Sequence, residues 1–242
     1  IVFGDWSSDV CSSDLVCRTE RNLNESIRGK IAQFCNVEVN AVIESIDAAS
    51  IYDVPLLMME EKLDIEVLRK TNTPIPDKID ISKWEHFLHR LHNPVHHLTV
   101  ALVGKYVELK DAYKSINESF IHAGVANESK VNIKYVQSEH LDHDQLDALL
   151  SDLDGILVAP GFCGRGIEGK ILAIEYARTR KIPFFGICLG MQCAVIEFGR
   201  NVLGLKDAHS TEMNPRTPFP VIDIMHTQKS VKNLGGTMRL GS

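Results

Sequence analysis

Pro183-Phe184-Phe185-Gly186-Ile187-Cys188-Leu189-Gly190-Met191-Gln192 decides how this chain folds. Ile182 to Ile187 has the apolar run of a buried strand, and Leu189 to Arg200 continues as a helix. Between them stands Gly-x-Cys-x-Gly, a nucleophile elbow with sulfur in place of the serine oxygen. Gly186 and Gly190 lack a Cβ, so strand and helix can close around a strained central residue. The helix begins just after Cys188, and its N-terminal N–H groups and dipole favour a thiolate there. The amide of Leu189 lies where acyl transfer needs an oxyanion donor. A buried structural cysteine at a strand–helix junction is the plainer alternative, and the surrounding residues have to decide between the two.

Working outward, the same texture repeats. Thr99 to Gly104, Val131 to Val136 and Gly155 to Ala159 are short apolar strands, and helical stretches run over Asp111–Ala123, Leu141–Leu150 and Glu168–Arg180. Strands that alternate with helices and are apolar almost throughout make an open, mostly parallel sheet with helices on both faces, an α/β fold. The third strand runs into Pro160-Gly161-Phe162-Cys163-Gly164-Arg165-Gly166, on the rim where such sheets place ligands. Gly161 is the candidate for a second oxyanion amide, since Pro160 has no N–H. The alternatives for this loop are a phosphate cradle or a simple turn. It is not a Walker A loop, because no Gly-Lys-Ser/Thr follows.

Upstream, helical spacing covers Glu25–Cys35, a strand Ala41–Ile46, and a helical pattern Ser50–Lys70. Thr71 to Asp77 is a linker by its prolines, and Ser82 with Glu85 forms a capping box for a helix ending near Asn93-Pro94. Five histidines, His86, His89, His92, His96 and His97, lie on that helix and its tail, without the carboxylate or cysteine that would complete a zinc set. No metal site is expected. Residues 1–15 nearly repeat Ser-Ser-Asp and have neither amphipathic period nor cationic start, so they read as a non-native leader rather than a signal peptide. The expected domains are therefore 16–70, a linker with helix over 71–97, and 98–242.

The 242 residues carry a net charge of −6, which gives no basic excess for nucleic acid, and no apolar run is long enough for a membrane. Six cysteines without zinc spacing, in a chain of this length, fit free thiols in a reducing cytoplasm.

Gly186-Ile187-Cys188-Leu189-Gly190-Met191-Gln192 resembles the nucleophile motif of class I glutamine amidotransferases. Taken with Gly104-Lys105-Tyr106, Asp111-Ala112-Tyr113-Lys114-Ser115, Arg165-Gly166-Ile167-Glu168-Gly169-Lys170 and Gly235-Gly236-Thr237-Met238-Arg239-Leu240-Gly241, the chain resembles the CTP synthase family. Cys17-Arg18, Lys30 to Val37 and Ser50 to Pro55 are similar to the end of that family's amidoligase domain. The resemblance implies a flavodoxin-like amidotransferase domain preceded by part of a P-loop-type α/β synthase domain. It implies a cytoplasmic enzyme that hydrolyses L-glutamine at Cys188 and uses the ammonia to aminate UTP to CTP. ATP and Mg2+ serve as phosphoryl donor and cofactor, GTP as activator, and a homotetramer as the assembly.

By the same resemblance Cys188 is the nucleophile, and Gly161, Leu189, Gly190, Met191, Gln192 and Glu212 hold glutamine or its oxyanion. Lys30 contacts UTP or CTP, and Ile46, Asp47 and Ala48 contact adenine. Two departures stand out: Cys163 occupies a position usually glycine, and Ala159-Pro160 replaces the usual Pro-Gly. The family's His-x-Glu base pair falls past Ser242, and His209 and His226 lie on other segments, so a fragment inactive alone is expected. The competing functions are a stand-alone glutaminase subunit, a γ-glutamyl hydrolase, and a non-catalytic scaffold. The synthase-like stretch from Val16 to Leu63 speaks against the first two.

Overall fold

Ala101 and Val103 point to one side of a parallel sheet and Leu102 to the other, and each side has its own apolar core. That alternation, in a computed structural model describing residues 14–161 and 164–223, organises the larger part of the protein. The chain divides into two compact units between His89 and Arg90.

In the second unit the strands are β3 (His96–Gly104), β4 (Ser129–Gln137), β5 (Gly155–Val158) and β6 (Phe184–Gly186). All are parallel, in the spatial order β4-β3-β5-β6. The connecting helices are α5 (Lys114–Ala126), α6 (Leu146–Leu150), α7 (Ile167–Arg180) and α8 (Leu189–Asn201). Ala101, Val103, Val136, Ile156 and Val158 pack with residues of α6, α7 and α8. Leu102 and Leu157 pack with Tyr113 and with Ile116 and Phe120 of α5. Helices therefore cover both faces of the sheet, as near-continuous apolar strands require. The chain-order reversal lies between β3 and β5, and the register Val103↔Val158 and Val158↔Gly186 brings the ends of β3, β5 and β6 level. Ligands of open α/β sheets sit at that rim.

Several elements differ from the sequence reading. The helix expected over Leu141–Leu150 is helical only from Leu146, because Asp142 turns back to accept the N–H of Gln145 (3.2 Å) in a 3-10 turn. After α8, β7 (Ala208–Ser210) and β8 (Phe219–Ile222) pair in parallel, and Gly199 of α8 admits Ala208 and Val221 closely.

The first unit contains β1 (Leu15–Thr19), α1 (Glu25–Cys35) and β2 (Val42–Ile46), a parallel β-α-β unit with Leu15↔Val42 and Thr19↔Ile46 in register. The sequence reading did not pick out β1. Asn24 caps α1 by accepting the N–H of Ile27 (2.9 Å), and Asn36 ends the helix in the left-handed region. The expected helix Ser50–Lys70 is two helices, α2 (Val54–Glu60) and α3 (Leu63–Lys70), broken at Lys62 with φ 61. Beside the break, the Glu61 carboxylate accepts from Arg28 (2.5 Å) and from the N–H of Glu44 (2.9 Å). Helix α4 (Ser82–His92) starts one residue earlier than the capping box implies. Ser82 is its first residue, and the Asp80 carboxylate accepts the Ser82 N–H (3.0 Å) and is held below its ordinary pKa by that serine.

Candidate active site

β6 ends at Gly186, and two residues later Cys188 stands at φ 52 and ψ −109, a strained backbone for any residue with a Cβ. Cys188 is the N-cap of the 13-residue helix α8, at the positive end of its dipole, and its thiol is exposed. Backbone hydrogen bonds fix the turn. Ile187 donates to the Val158 carbonyl (3.1 Å), Gly190 to Ile187 (2.8 Å) and Gln192 to Cys188 (3.1 Å). The N–H of Leu189, first in the helix, has no intrahelical acceptor, as at any helix start.

The flanking glycines are required by contact. A Cβ on Gly186 would stand 2.6 Å from the carbonyl carbon of Gly190, and one on Gly190 would fall on the Val158 carbonyl. Cys193, one helical turn on, is the opposite kind of cysteine. It is fully buried, and burial pushes its pKa up to about 11 against the pull of Lys170.

Gly161 follows β5 and lies against the elbow: its missing Cβ would sit 3.6 Å from Leu189 Cδ2, 3.5 Å from Lys105 Cε and 3.6 Å from Lys170 Nζ. The two residues named as oxyanion donors are thus neighbours. Leu189 and Gly190 are buried, Gln192 half-buried and Met191 exposed. Glu212 lies in the turn between β7 and β8, exposed, its N–H donating to Ser210 Oγ (3.2 Å). Phe162 and Cys163, and with Cys163 the expected strain in this loop, fall outside the described residues, as do His226 and the Gly235–Gly241 motif.

Two lysines at this rim were not singled out from sequence. Lys170 is wholly buried and donates to the Ala159 carbonyl (2.8 Å). Burial lowers its pKa, Lys105 adds to that, and the thiols Cys193 and Cys188 oppose it. A signal was present. Lys170 shares the helical stripe of Ile167, Ile171, Ile174 and Ala177, all buried, so its side chain had to enter the core. Lys105 is also buried. Its N–H and that of Tyr106 donate to the Tyr113 hydroxyl at 3.1 and 3.2 Å, and its ammonium lies 5.3 Å from the Tyr106 ring centre.

Sequence comparison agrees with this geometry. The family model "Glutamine amidotransferase class-I" matches residues 108–242, and "CTP synthase N-terminus" matches residues 8–73. The chain belongs to the CTP synthase branch of the class-I glutamine amidotransferases. It is 62% identical to the CTP synthase of Cytophaga hutchinsonii over 228 residues, which is 94% of this chain and 42% of that protein. It is 57% identical to the CTP synthase of Flavobacterium psychrophilum, over 97% of this chain and 44% of that protein. The chain therefore spans less than half the length of these relatives. A solved glutaminase domain of Trypanosoma brucei CTPS, with acivicin bound, superposes with a TM-score of 0.52 at 41% identity, covering 55% of this chain and 52% of that one.

The other residues expected to contact nucleotide lie in the first unit. Lys30 is an exposed residue of α1. Ile46 ends β2, and Asp47 donates its N–H to the Thr19 carbonyl (3.0 Å) while its carboxylate meets Arg18 at 3.2 Å, both side chains exposed. Among the described residues no three His, Cys, Asp or Glu side chains gather as a metal site, and no helix is long and apolar enough to cross a membrane.

Proposed function

We propose that Cys188 is the nucleophile of a glutamine amidohydrolase site, and that the whole protein passes the ammonia on to aminate UTP to CTP. One observation carries this: an exposed thiol held at φ 52 on the N-cap of α8, with Gly161 and Leu189 side by side next to it. The Cys188 thiolate attacks the carboxamide carbon of glutamine, the S–C bond forms, and the carbonyl electron pair moves onto oxygen. The amides of Leu189 and Gly161 receive that oxyanion. As the proton taken from the thiol is returned to nitrogen, collapse breaks the C–N bond, releases ammonia and leaves a thioester that water hydrolyses. Gly190, Met191 and Gln192 shape the glutamine pocket, and Glu212 is assigned to its α-ammonium. On the family resemblance, the histidine that takes the thiol proton and returns it to nitrogen is assigned outside the described residues.

In the first unit Lys30 is assigned to the triphosphate of UTP or CTP, where an exposed cation suits phosphate oxygens. Ile46, Asp47 and Ala48 are assigned to adenine. The Asp47 N–H is already used on Thr19, which leaves carbonyls and the Ala48 backbone for that contact. ATP would supply the phosphoryl group that activates the UTP oxygen, with Mg2+ as the cofactor the family resemblance implies. The described residues gather no ligand set for that ion, and no step is routed through it. Activation by GTP, assembly as a tetramer and a cytoplasmic location belong to the same proposal. The match of residues 8–73 to the CTP synthase N-terminus favours it over a stand-alone glutaminase.

The test is labelling with a glutamine-shaped chloroketone followed by peptide mapping, with Cys188→Ala as control and glutamine or acivicin as protectant. Selective, protectable modification of Cys188 is expected. Indiscriminate labelling of Cys35 and Cys188 alike would refute the glutamine pocket.

A further inference from the structure

We propose that Lys170 is a positioning residue for acyl transfer: its buried ammonium holds the Ala159 carbonyl and so fixes the Pro160–Gly161 peptide against the elbow. This rests on the glutaminase reading above. Taking an ammonium wholly out of water is costly, and a packing role alone would be filled by methionine, which has similar length and no donor. The amine instead donates to Ala159 (2.8 Å).

The peptides around Ala159 are tied from three sides. The Ala159 N–H donates to Val103 of β3 (2.9 Å), the Val158 carbonyl accepts from Ile187 of the elbow (3.1 Å), and the Ala159 carbonyl accepts from Lys170 of α7. The next flexible point is Gly161, whose Cα faces Lys170 Nζ and Leu189. With the first two ties alone, the Ala159 carbonyl can swing and carry the Gly161 N–H with it. The third tie removes that freedom, and it also sets a positive charge beneath the loop that borders the developing oxyanion.

The experiment measures two electrophiles on the intact chain and on Lys170→Met. A glutamine-shaped chloroketone adds through its carbonyl and needs the oxyanion amides, whereas iodoacetamide alkylates sulfur directly and does not. The expected result is a fall of about tenfold or more in the saturating chloroketone rate at Cys188, with half-saturating concentration and iodoacetamide rate unchanged. Equal chloroketone rates in folded variant and parent would overturn the proposal and leave Lys170 a core residue. A parallel fall for both electrophiles would overturn it too, since that marks general loss of the elbow. If Lys170→Met does not fold, Lys170→Gln, whose amide is too short to reach Ala159, takes its place with the same expectations. Failure of the parent chain to label selectively at Cys188 would instead overturn the glutaminase reading itself.

Discussion

Gly186 and Gly190 face each other across the elbow so closely that a Cβ on the first would stand 2.6 Å from the carbonyl carbon of the second. Neither neighbour can yield, because both are backbone, and Gly190 is pressed in turn against the Val158 carbonyl. Gly190→Ala should therefore destabilise the second unit by about 1–3 kcal/mol through overpacking. It should also abolish selective chloroketone labelling, because Cys188 is no longer held at φ 52. Urea midpoints and peptide mapping measure the two effects separately, and wild-type labelling in a folded variant would show that the close approach is dispensable.

Tyr113 ties down the end of β3. Its buried hydroxyl accepts the N–H groups of both Lys105 and Tyr106, so Tyr113→Phe leaves two donors without that acceptor. The expected loss is about 1–3 kcal/mol. A variant as stable as the parent in urea would mean that water replaces the hydroxyl at no cost.

Much of this was legible in the sequence. The strands of the second unit announced themselves as apolar runs, and the elbow by its glycines. What escaped depended on contacts between distant residues. No local signal puts Lys62 in the left-handed region, and the ties of the neighbouring Glu61 carboxylate run to Arg28 and Glu44, 33 and 17 residues away. β1 is five residues whose first, Leu15, falls within the expected leader, and only its pairing with β2 makes it a strand. Lys170 is of a residue type that is usually solvated on a helix, although its place among Ile167, Ile171 and Ile174 says otherwise.

Cys193 and Cys188 should differ sharply toward a small alkylating agent. Burial holds the Cys193 thiol up at about 11, so near neutral pH it stays protonated as well as inaccessible. Iodoacetamide should modify Cys188 in the folded protein and Cys193 only after denaturant is added. The sign of the linked stability follows. A raised thiol pKa contributes stability below the unfolded value of 9.0, and that contribution is lost as pH rises from 9.0 toward about 11. Cys193→Ala should remove this alkaline loss, at the cost of a small cavity. An unchanged alkaline profile in the variant would assign the loss to other groups.

His209 gives the acid side its own test. Burial, with help from Arg200 and against Glu168, holds its pKa below the ordinary 6.5. Its Nδ1 accepts the Ser210 N–H at 2.9 Å, a bond that protonation of that nitrogen would break. The folded state therefore prefers the neutral ring, and the unfolded chain binds the proton first as pH falls. The resulting stability is fully present above pH 6.5 and is lost as pH drops through the lowered folded value. His209→Gln should make unfolding free energy less sensitive to acidification from about pH 7.5 to about 5.5. Glu168→Gln should have the opposite effect, steepening the loss, because that carboxylate is the group that favours the charged ring. Denaturant unfolding of the three proteins across this range measures both, and identical slopes for parent and His209→Gln would show that the ring does not govern the acid response.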